Sequence, residues 1–333
     1  MRIQILSLLL VACAEAESAG PTSDAGADAD VSRPDSVTPW ILPEDTAEPP
    51  NPLSPEVRSS ALETAIDLAL ELEPDTVLAL HDLLLPPPPP GSGDLTGCPV
   101  TLTYDYGEAT AFFWQGECTG PDGTRYSGTG TIARYDDFPS DGGTYDGFEV
   151  SLAGRIEAPD GTWLEGAGRA GGFEGAGGDL TVWTRALEGT FRAGGPRAPA
   201  DDPWLDGSRR PSLEVAGWTY VPTGGRSVTV VGALAGENLF GDEVTGVAFD
   251  GLTLREALAG NTCEREAGGA ASVRATDGAW YDVVFDGPVD FGESDPSDPI
   301  DAADCDGCGD TWFRGRAVDA TCFDARPMFS RLP

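Results

Sequence analysis

The chain contains no lysine and a single histidine, His81, so all twenty of its basic side chains are arginine. Without lysine there is no amine for Schiff-base chemistry and no Walker-type phosphate loop. With one histidine, a Ser-His-Asp triad or a Cys-His pair has only His81 to draw on, and a multi-histidine metal site is excluded. No stretch approaches the roughly 20 consecutive apolar residues that a transmembrane helix requires. Positive charge is scarce against fifty-six acidic residues, which leaves a formal net charge of −36. Such a chain repels a polyanion over a Debye length of about 8–10 Å, and no basic cluster offsets the repulsion locally, so no nucleic acid partner is expected.

What is present begins with a leader. Arg2 gives a cationic start, Ile3 to Leu10 form an apolar stretch interrupted only by Gln4 and Ser7, and Ala12 supplies a small residue before Cys13. The run Leu10-Val11-Ala12-Cys13 resembles a lipobox, and on these residues the chain is similar to bacterial lipoproteins. The resemblance implies that residues 1–12 are a signal peptide, that Cys13 carries the acyl chains, and that the membrane is a partner through this anchor only. Ala14, in place of an aspartate after the acylated cysteine, implies the outer membrane, with the protein facing the periplasm or the cell surface.

Of the seven cysteines, acylation of Cys13 leaves six to pair: Cys98, Cys118, Cys263, Cys305, Cys308 and Cys322. An even number of thiols in an exported chain reads as disulfides. Cys305-Asp-Gly-Cys308 also has the spacing of a redox or zinc motif. A zinc site would need Cys263, Cys305, Cys308 and Cys322 all reduced, and a thioredoxin-like role would need a βαβ context that the flanking sequence lacks. Structural bridging is the expectation, with the pairing among these four left open.

Residues 13–54 hold seven prolines and nine acidic side chains, with few large apolar ones. They read as a disordered, self-repelling tether. Residues 55–90 read as a helical hairpin and a spacer. Ser54 can cap the first turn, Pro55 suits the first helical position, and Val57, Ala61, Ala65, Leu68 and Leu72 recur on one helical face. Glu73-Pro74-Asp75 interrupts, a second helical segment follows to Leu85, and Pro86 to Pro90 stop it with a stiff spacer of roughly 15 Å.

From Gly97 the texture becomes short β-branched and aromatic runs divided by Gly, Asp and Pro, so residues 91–333 read as a disulfide-bridged antiparallel β domain. Val100, Leu102, Tyr104 and Tyr106 alternate with Thr101, Thr103 and Asp105 as one buried face requires. A turn at Gly107-Glu108-Ala109 would set Tyr106 opposite Thr110 and, in the same register, Cys98 opposite Cys118. Pro121-Asp122-Gly123-Thr124 recurs as Pro159-Asp160-Gly161-Thr162, with Asp277-Gly278-Ala279 a weaker copy. An aromatic residue before Asp-Gly at Tyr145, Phe249 and Phe285 suggests a second repeated hairpin. About twelve to fifteen strands result, giving a mainly β fold: an antiparallel meander forming a sandwich or irregular barrel, preceded by a short helical segment. Gly128, Gly130, Gly166, Gly168, Gly171 and Gly172 within strands point to sheet curvature, or else to close approach by an extended ligand. The segment from Gly171 to Gly178 reads as a mobile loop.

Paired carboxylates are the one catalytic set this composition supplies freely, as in glycoside hydrolysis, yet no spacing singles out a pair and no catalytic residue is assigned. Trp163, Trp183, Trp218, Trp280 and Trp312 are either core or sugar-stacking residues. Asp295, Asp298, Asp301, Asp304 and Asp306 lie in an acidic run without basic residues, either a solvated loop or a set of oxygen ligands for calcium. The expectation is a lipid-anchored envelope module that binds a glycan or an envelope protein, or that serves as structure. The alternative is a secreted carboxylate-dependent hydrolase acting on glycans.

Overall fold

The computed structural model describes residues 52–84, 97–104, 108–140, 143–200, 202–221, 225–236, 238–255, 267–287, 306–314 and 316–329. The expected signal peptide, Cys13 and nearly all of the tether lie outside them, as do Pro86 to Pro90, Cys263, Cys305, Asp295, Asp298, Asp301 and Asp304.

Helix α1 (Pro55–Leu70) starts where the sequence marks it: Ser54 is extended and its hydroxyl accepts the amide of Val57 at 3.3 Å. Its buried stripe is Arg58, Ala61, Leu62, Ala65, Ile66, Ala69 and Leu70. That face is rotated from the expected one and has an arginine inside it. Helix α2 (Asp75–Leu84) follows the Glu73-Pro74 break.

Among the described residues fourteen strands then run in chain order. They are β1 (Val100–Tyr104), β2 (Glu108–Gln115), β3 (Cys118–Thr119), β4 (Arg125–Ser140), β5 (Gly143–Glu157), β6 (Trp163–Gly177) and β7 (Leu180–Gly194). The second half comprises β8 (Arg209–Tyr220), β9 (Gly225–Gly236), β10 (Val244–Arg255), β11 (Ala267–Ala275), β12 (Trp280–Asp286), β13 (Cys308–Phe313) and β14 (Arg316–Cys322). A four-residue helix, α3 (Arg326–Phe329), ends the described chain. Every strand pairs antiparallel with its sequence neighbour in one sheet, except that β2 pairs directly with β4, leaving β3 on the end of β4. The fold is therefore mainly β and a meander, as expected, but the meander stays in a single open sheet instead of dividing into two layers.

The sheet has to bend. Thirteen strands abreast at about 4.8 Å would spread over roughly 58 Å, whereas α1, at 16 residues, is about 24 Å long. Yet α1 touches β8 to β11 and also β14, α2 touches β5 and β6, and one apolar cluster runs from Trp114 on β2 to Phe323 beyond β14. The sheet curls around the two helices, so its inner face is filled by them and its outer face is convex. Leu62, Ala65, Ile66 and Ala69 of α1 share one apolar cluster with Val230, Leu252, Val273 and Val283 of the sheet, all without exposed surface. At two or three kcal/mol for each large apolar side chain, this shared core is what makes helices and sheet one folding unit.

Arginines fix the helices against the sheet. Arg185 donates to the carbonyl of Leu72 at 3.3 Å and Arg197 to that of Leu83 at 2.8 Å, while Arg134 pairs with Asp82. The first two carbonyls lie at or beyond helix ends, where intrahelical partners are lacking.

Glycine within the strands has a more specific explanation than curvature. A Cβ on Gly130 would lie 2.2 Å from the ring of Trp114, one on Gly217 2.2 Å from Trp183, one on Gly166 2.6 Å from Phe191, and one on Gly147 2.3 Å from Phe173. In each case the aromatic residue is the direct cross-strand partner of the glycine. The ring lies flat across the neighbouring strand, and only a residue without a side chain leaves it room.

Three expectations need correction. The segment from Gly171 to Gly178 is not a loop: all of it up to Gly177 belongs to β6, paired on both sides by β5 and β7. Two flanking ladders supply the backbone partners, and the Phe148 ring of β5 lies against Gly172 opposite it, which outweighs the low strand preference of glycine. The β1–β2 register is also different. Thr103 faces Thr110 and Val100 faces Phe113, which puts Cys98 before the strand and Cys118 after the end of β2; the two are nonetheless bonded. Finally, Tyr145-Asp146-Gly147 lies within β5, Phe249-Asp250-Gly251 forms a bulge in β10, and Phe285-Asp286-Gly287 ends β12, so these are no common hairpin.

The Asp-Gly turn, by contrast, repeats atom for atom. The amides of Thr124, Thr162 and Ala279 donate to Asp122, Asp160 and Asp277 at 3.0, 2.9 and 3.0 Å. The following glycines, 123, 161 and 278, take φ of +89°, +85° and +92°. All three turns lie at the same end of the sheet.

Candidate functional site

Strand alternation assigns every side chain of the meander to one of two faces. On the outer face, cross-strand partners form rows that run perpendicular to the strands. One row reads Tyr145 on β5, Gly175 on β6, Val182 on β7 and Trp218 on β8. The next reads Tyr135 on β4, Gly147 on β5, Phe173 on β6, Thr184 on β7 and Ala216 on β8.

Together these rows make an aromatic strip on the convex side. The ring centroids of Tyr135 and Phe173 are 5.7 Å apart, those of Tyr145 and Phe173 5.9 Å, and those of Tyr135 and Tyr145 6.2 Å, with tilted or edge-on geometry. Such offsets are the favourable ones for aromatic pairs. Gly147 lets the Phe173 ring lie against the sheet. Val182 is 42 % exposed, and Leu180, two residues before it on the same face, is 39 % exposed. Trp218 and the three rings are half-buried. Burial raises the pKa of the Tyr145 phenol, which keeps it a neutral donor and acceptor.

A carboxylate row borders the strip. Glu149 on β5, Gly171 on β6, Ala186 on β7 and Glu214 on β8 are successive partners. Glu149 and Glu214 are thus three strand spacings apart, about 14 Å, which exceeds the roughly 5–9.5 Å used by paired glycosidase carboxylates. Glu188 pairs with Ser212 and so stands diagonal to Glu214 across β7 and β8, at about 7–8 Å between such positions. The Glu214 residue keeps exposed surface, yet its carboxyl is crowded by surrounding atoms, and that desolvation raises its pKa.

The tryptophans divide between the two readings. Trp280 is 2 % exposed in a small cluster with Ala233, Ala235 and Ala248 that is separate from the main core, and Trp183 packs against the main core. Trp163 lies at the opposite end of the outer face under the guanidinium of Arg155, 4.4 Å from the ring centroid, with Arg155 in turn bound to Glu157 at 2.9 Å. Trp312 pairs with Asp282 on β12. Only Trp218 joins the strip. Tyr135, Tyr145 and Phe173 escaped the sequence reading, because their shared face depends on the register of three different strands.

The cysteines are bridged as Cys98–Cys118 and Cys308–Cys322, the latter directly opposite each other on β13 and β14. Oxidation to Cys322 takes Cys308 out of both the zinc and the Cys305-x-x-Cys308 redox readings. These disulfides indicate an oxidising, extracytoplasmic compartment. Among the described residues no helix is long and apolar enough to cross a membrane. His81 lies in α2. Of the calcium candidates, only Asp306 is described, and its carboxylate accepts the amide of Cys308 at 2.8 Å. Among the described residues no three His, Cys, Asp or Glu side chains converge on a metal position.

No protein-family model, no curated protein sequence and no solved structure matches this chain.

Proposed function

We propose that this protein is an extracytoplasmic binding module, anchored to the outer membrane by acyl chains on Cys13 and raised from the lipid by the acidic tether of residues 13–54. The observation that carries the reading is the aromatic strip of Tyr135, Tyr145, Phe173 and Trp218 on the convex face of a sheet whose other face is filled by its own helices. Half-buried rings held by packing lose little freedom on contact, which favours recognition by a preorganised surface. The anchor follows from the Leu10-Val11-Ala12-Cys13 resemblance and is tested by labelling with a fatty-acid probe. Incorporation abolished by Cys13→Ser supports it, and an unlabelled protein of full leader length refutes it.

The binding role is tested with the full mature chain carrying Cys13→Ser, added to isolated cell envelopes. Saturable binding that Trp218→Ala and Tyr145→Ala both weaken is the expected result. Binding indifferent to both substitutions would remove the strip from the account.

The diagonal placement of Glu188 and Glu214, with the Glu214 pKa raised by desolvation, keeps glycan hydrolysis as a second reading. A convex face gives such a pair no walls with which to surround a scissile bond, so binding is preferred. Turnover in a polysaccharide panel, lost in both Glu188→Gln and Glu214→Gln, would reverse that preference.

A further inference from the structure

Resting on the binding-module reading, we propose that the strip takes a neutral glycan chain laid across strands β5 to β8, with rings at both ends of its path. Tyr145 and Trp218 belong to one row and are three strand spacings apart, about 14 Å. Between them the row holds only Gly175 and Val182, so the path from one ring to the other crosses low side chains. Phe173 and Tyr135 widen the Tyr145 end into an aromatic cluster.

The charge pattern selects the ligand class. From β4 to β9 the two rows contain rings, glycine, alanine, valine and the hydroxyls of Thr184, Ser227 and Thr229, and not one charged side chain. This occurs in a chain whose formal net charge is −36, on a face where the next row carries Glu149 and Glu214. An anionic polysaccharide would lie beside those carboxylates unpaired. A basic protein surface would find its complementary charge outside the strip and leave the strip itself idle. A neutral sugar chain matches what the strip offers: its C–H faces stack on ring faces, and its hydroxyls exchange hydrogen bonds with the neutral phenols and the Thr184 hydroxyl, while Ser227 is buried and already bonded to the Leu254 carbonyl. The stacking direction also fits, because a chain running across the strands meets both ends of the row without climbing over a large side chain.

The test uses the full mature chain with Cys13→Ser in calorimetric titrations against soluble neutral glucans, mannans and galactans, with an alginate as the anionic comparison. Binding of at least one neutral polymer is expected, nearly unchanged between low and high salt, and weakened roughly five- to tenfold by Trp218→Ala and by Tyr145→Ala. Trp218→Phe, which keeps a ring, should retain most of the affinity, and Trp163→Ala, at the other end of the face, should leave it intact. Equal thermal melting of the variants separates lost stacking from lost folding. Salt-sensitive binding of alginate alone, or strip-dependent capture of an envelope protein with no glycan bound, would overturn the neutral-glycan inference while leaving the binding module standing. Envelopes that bind the chain regardless of the strip substitutions would overturn both.

Discussion

Arg58 and Asp319, 261 positions apart in the chain, meet through the guanidinium of a fully buried helix residue and a carboxylate on the last strand of the sheet. Arg58 also donates to Thr321 Oγ1 at 2.9 Å and to the carbonyl of Leu53, and it lies 5.4 Å from the centroid of the Tyr281 ring. Thr321 in turn bonds Thr311 at 2.8 Å, and the Tyr281 hydroxyl accepts the Leu53 amide at 3.2 Å. One side chain thus ties the start of α1 to β12, β13 and β14, closing the curl of the sheet over its helices.

Removing the carboxylate should therefore expose a cost that no apolar contact explains. Asp319→Ala leaves a buried guanidinium without its counter-charge, and a loss of about 2–3 kcal/mol in urea denaturation is expected. This is below the roughly 3–5 kcal/mol for a fully buried pair, because the Asp319 side chain is 39 % exposed and water screens part of the field. Arg58→Lys should cost a similar amount, since an ammonium cannot reach three acceptors in different directions. A change within 0.5 kcal/mol, the range of ordinary surface substitutions, for both variants would mean the network does not hold the ends together.

The glycines beneath aromatic rings give a second prediction. Gly130→Ala places a methyl carbon 2.2 Å from the Trp114 ring, so it should destabilise by about 1–3 kcal/mol even though alanine favours extended backbone no less than glycine. In a Trp114→Ala background the same substitution should cost much less, and that coupling is the measurement that matters. Additive losses would place the strain elsewhere.

How much of this was visible in the residues depends on distance along the chain. The Asp-Gly turns were legible because their chemistry is local: an aspartate accepting the amide two residues on, then glycine at positive φ, works wherever it occurs. The Cys98–Cys118 bond was foreseen through a register that proved three residues out. The bond forms in spite of that shift, since β2 ends at Gln115 and Gly116, at positive φ, leads Cys118 into a separate short strand. The glycine tract of β6 misled because strand preference is local while its ladder partners come from β5 and β7 and its covering ring, Phe148, from β5. The aromatic strip was illegible for the same reason: Tyr135, Tyr145, Phe173 and Trp218 sit on four strands, and their common face exists only once each register is set. Arg58 inside the core could not be read from a helix that, taken alone, offers an apolar stripe without it.

Acid should reveal the Asp160 turn. Hydrogen bonds from Arg197 and from the Thr162 amide hold the Asp160 carboxyl at about 2, below its ordinary 3.8. A carboxylate depressed in the folded state contributes stability that is fully present above the unfolded pKa and is lost as pH falls through the folded one. The stability difference between the parent and Asp160→Asn should therefore be constant above pH 4 and shrink between about 3.8 and 2. Asparagine keeps an acceptor for the Thr162 amide, so what disappears is the charge alone. Denaturant midpoints at stepped pH measure this, and a difference that grows on acidification would reverse the sign of the argument.

The disulfide pattern yields the last prediction, because two observed bonds constrain a third. Cys98–Cys118 and Cys308–Cys322 use four of the six cysteines expected to pair, and the two left over are Cys263 and Cys305. Cys263 belongs to the connection from β10 to β11 and Cys305 to that from β12 to β13. Alternate connections of an antiparallel meander leave the sheet at the same end, and Gly287 after β12 donates its amide to the carbonyl of Ala267 at the start of β11 at 3.0 Å. The described ends of the two connections, Ala267 and Gly287, are therefore neighbours. Peptide mapping without reduction should recover Cys263 joined to Cys305 together with the two observed pairs. Reducing Cys308–Cys322, whose partners are 14 residues apart, should cost about 3 kcal/mol on the chain-entropy account. A peptide joining Cys305 to Cys308 would contradict the β13–β14 pairing and return the Cys-x-x-Cys motif to redox chemistry.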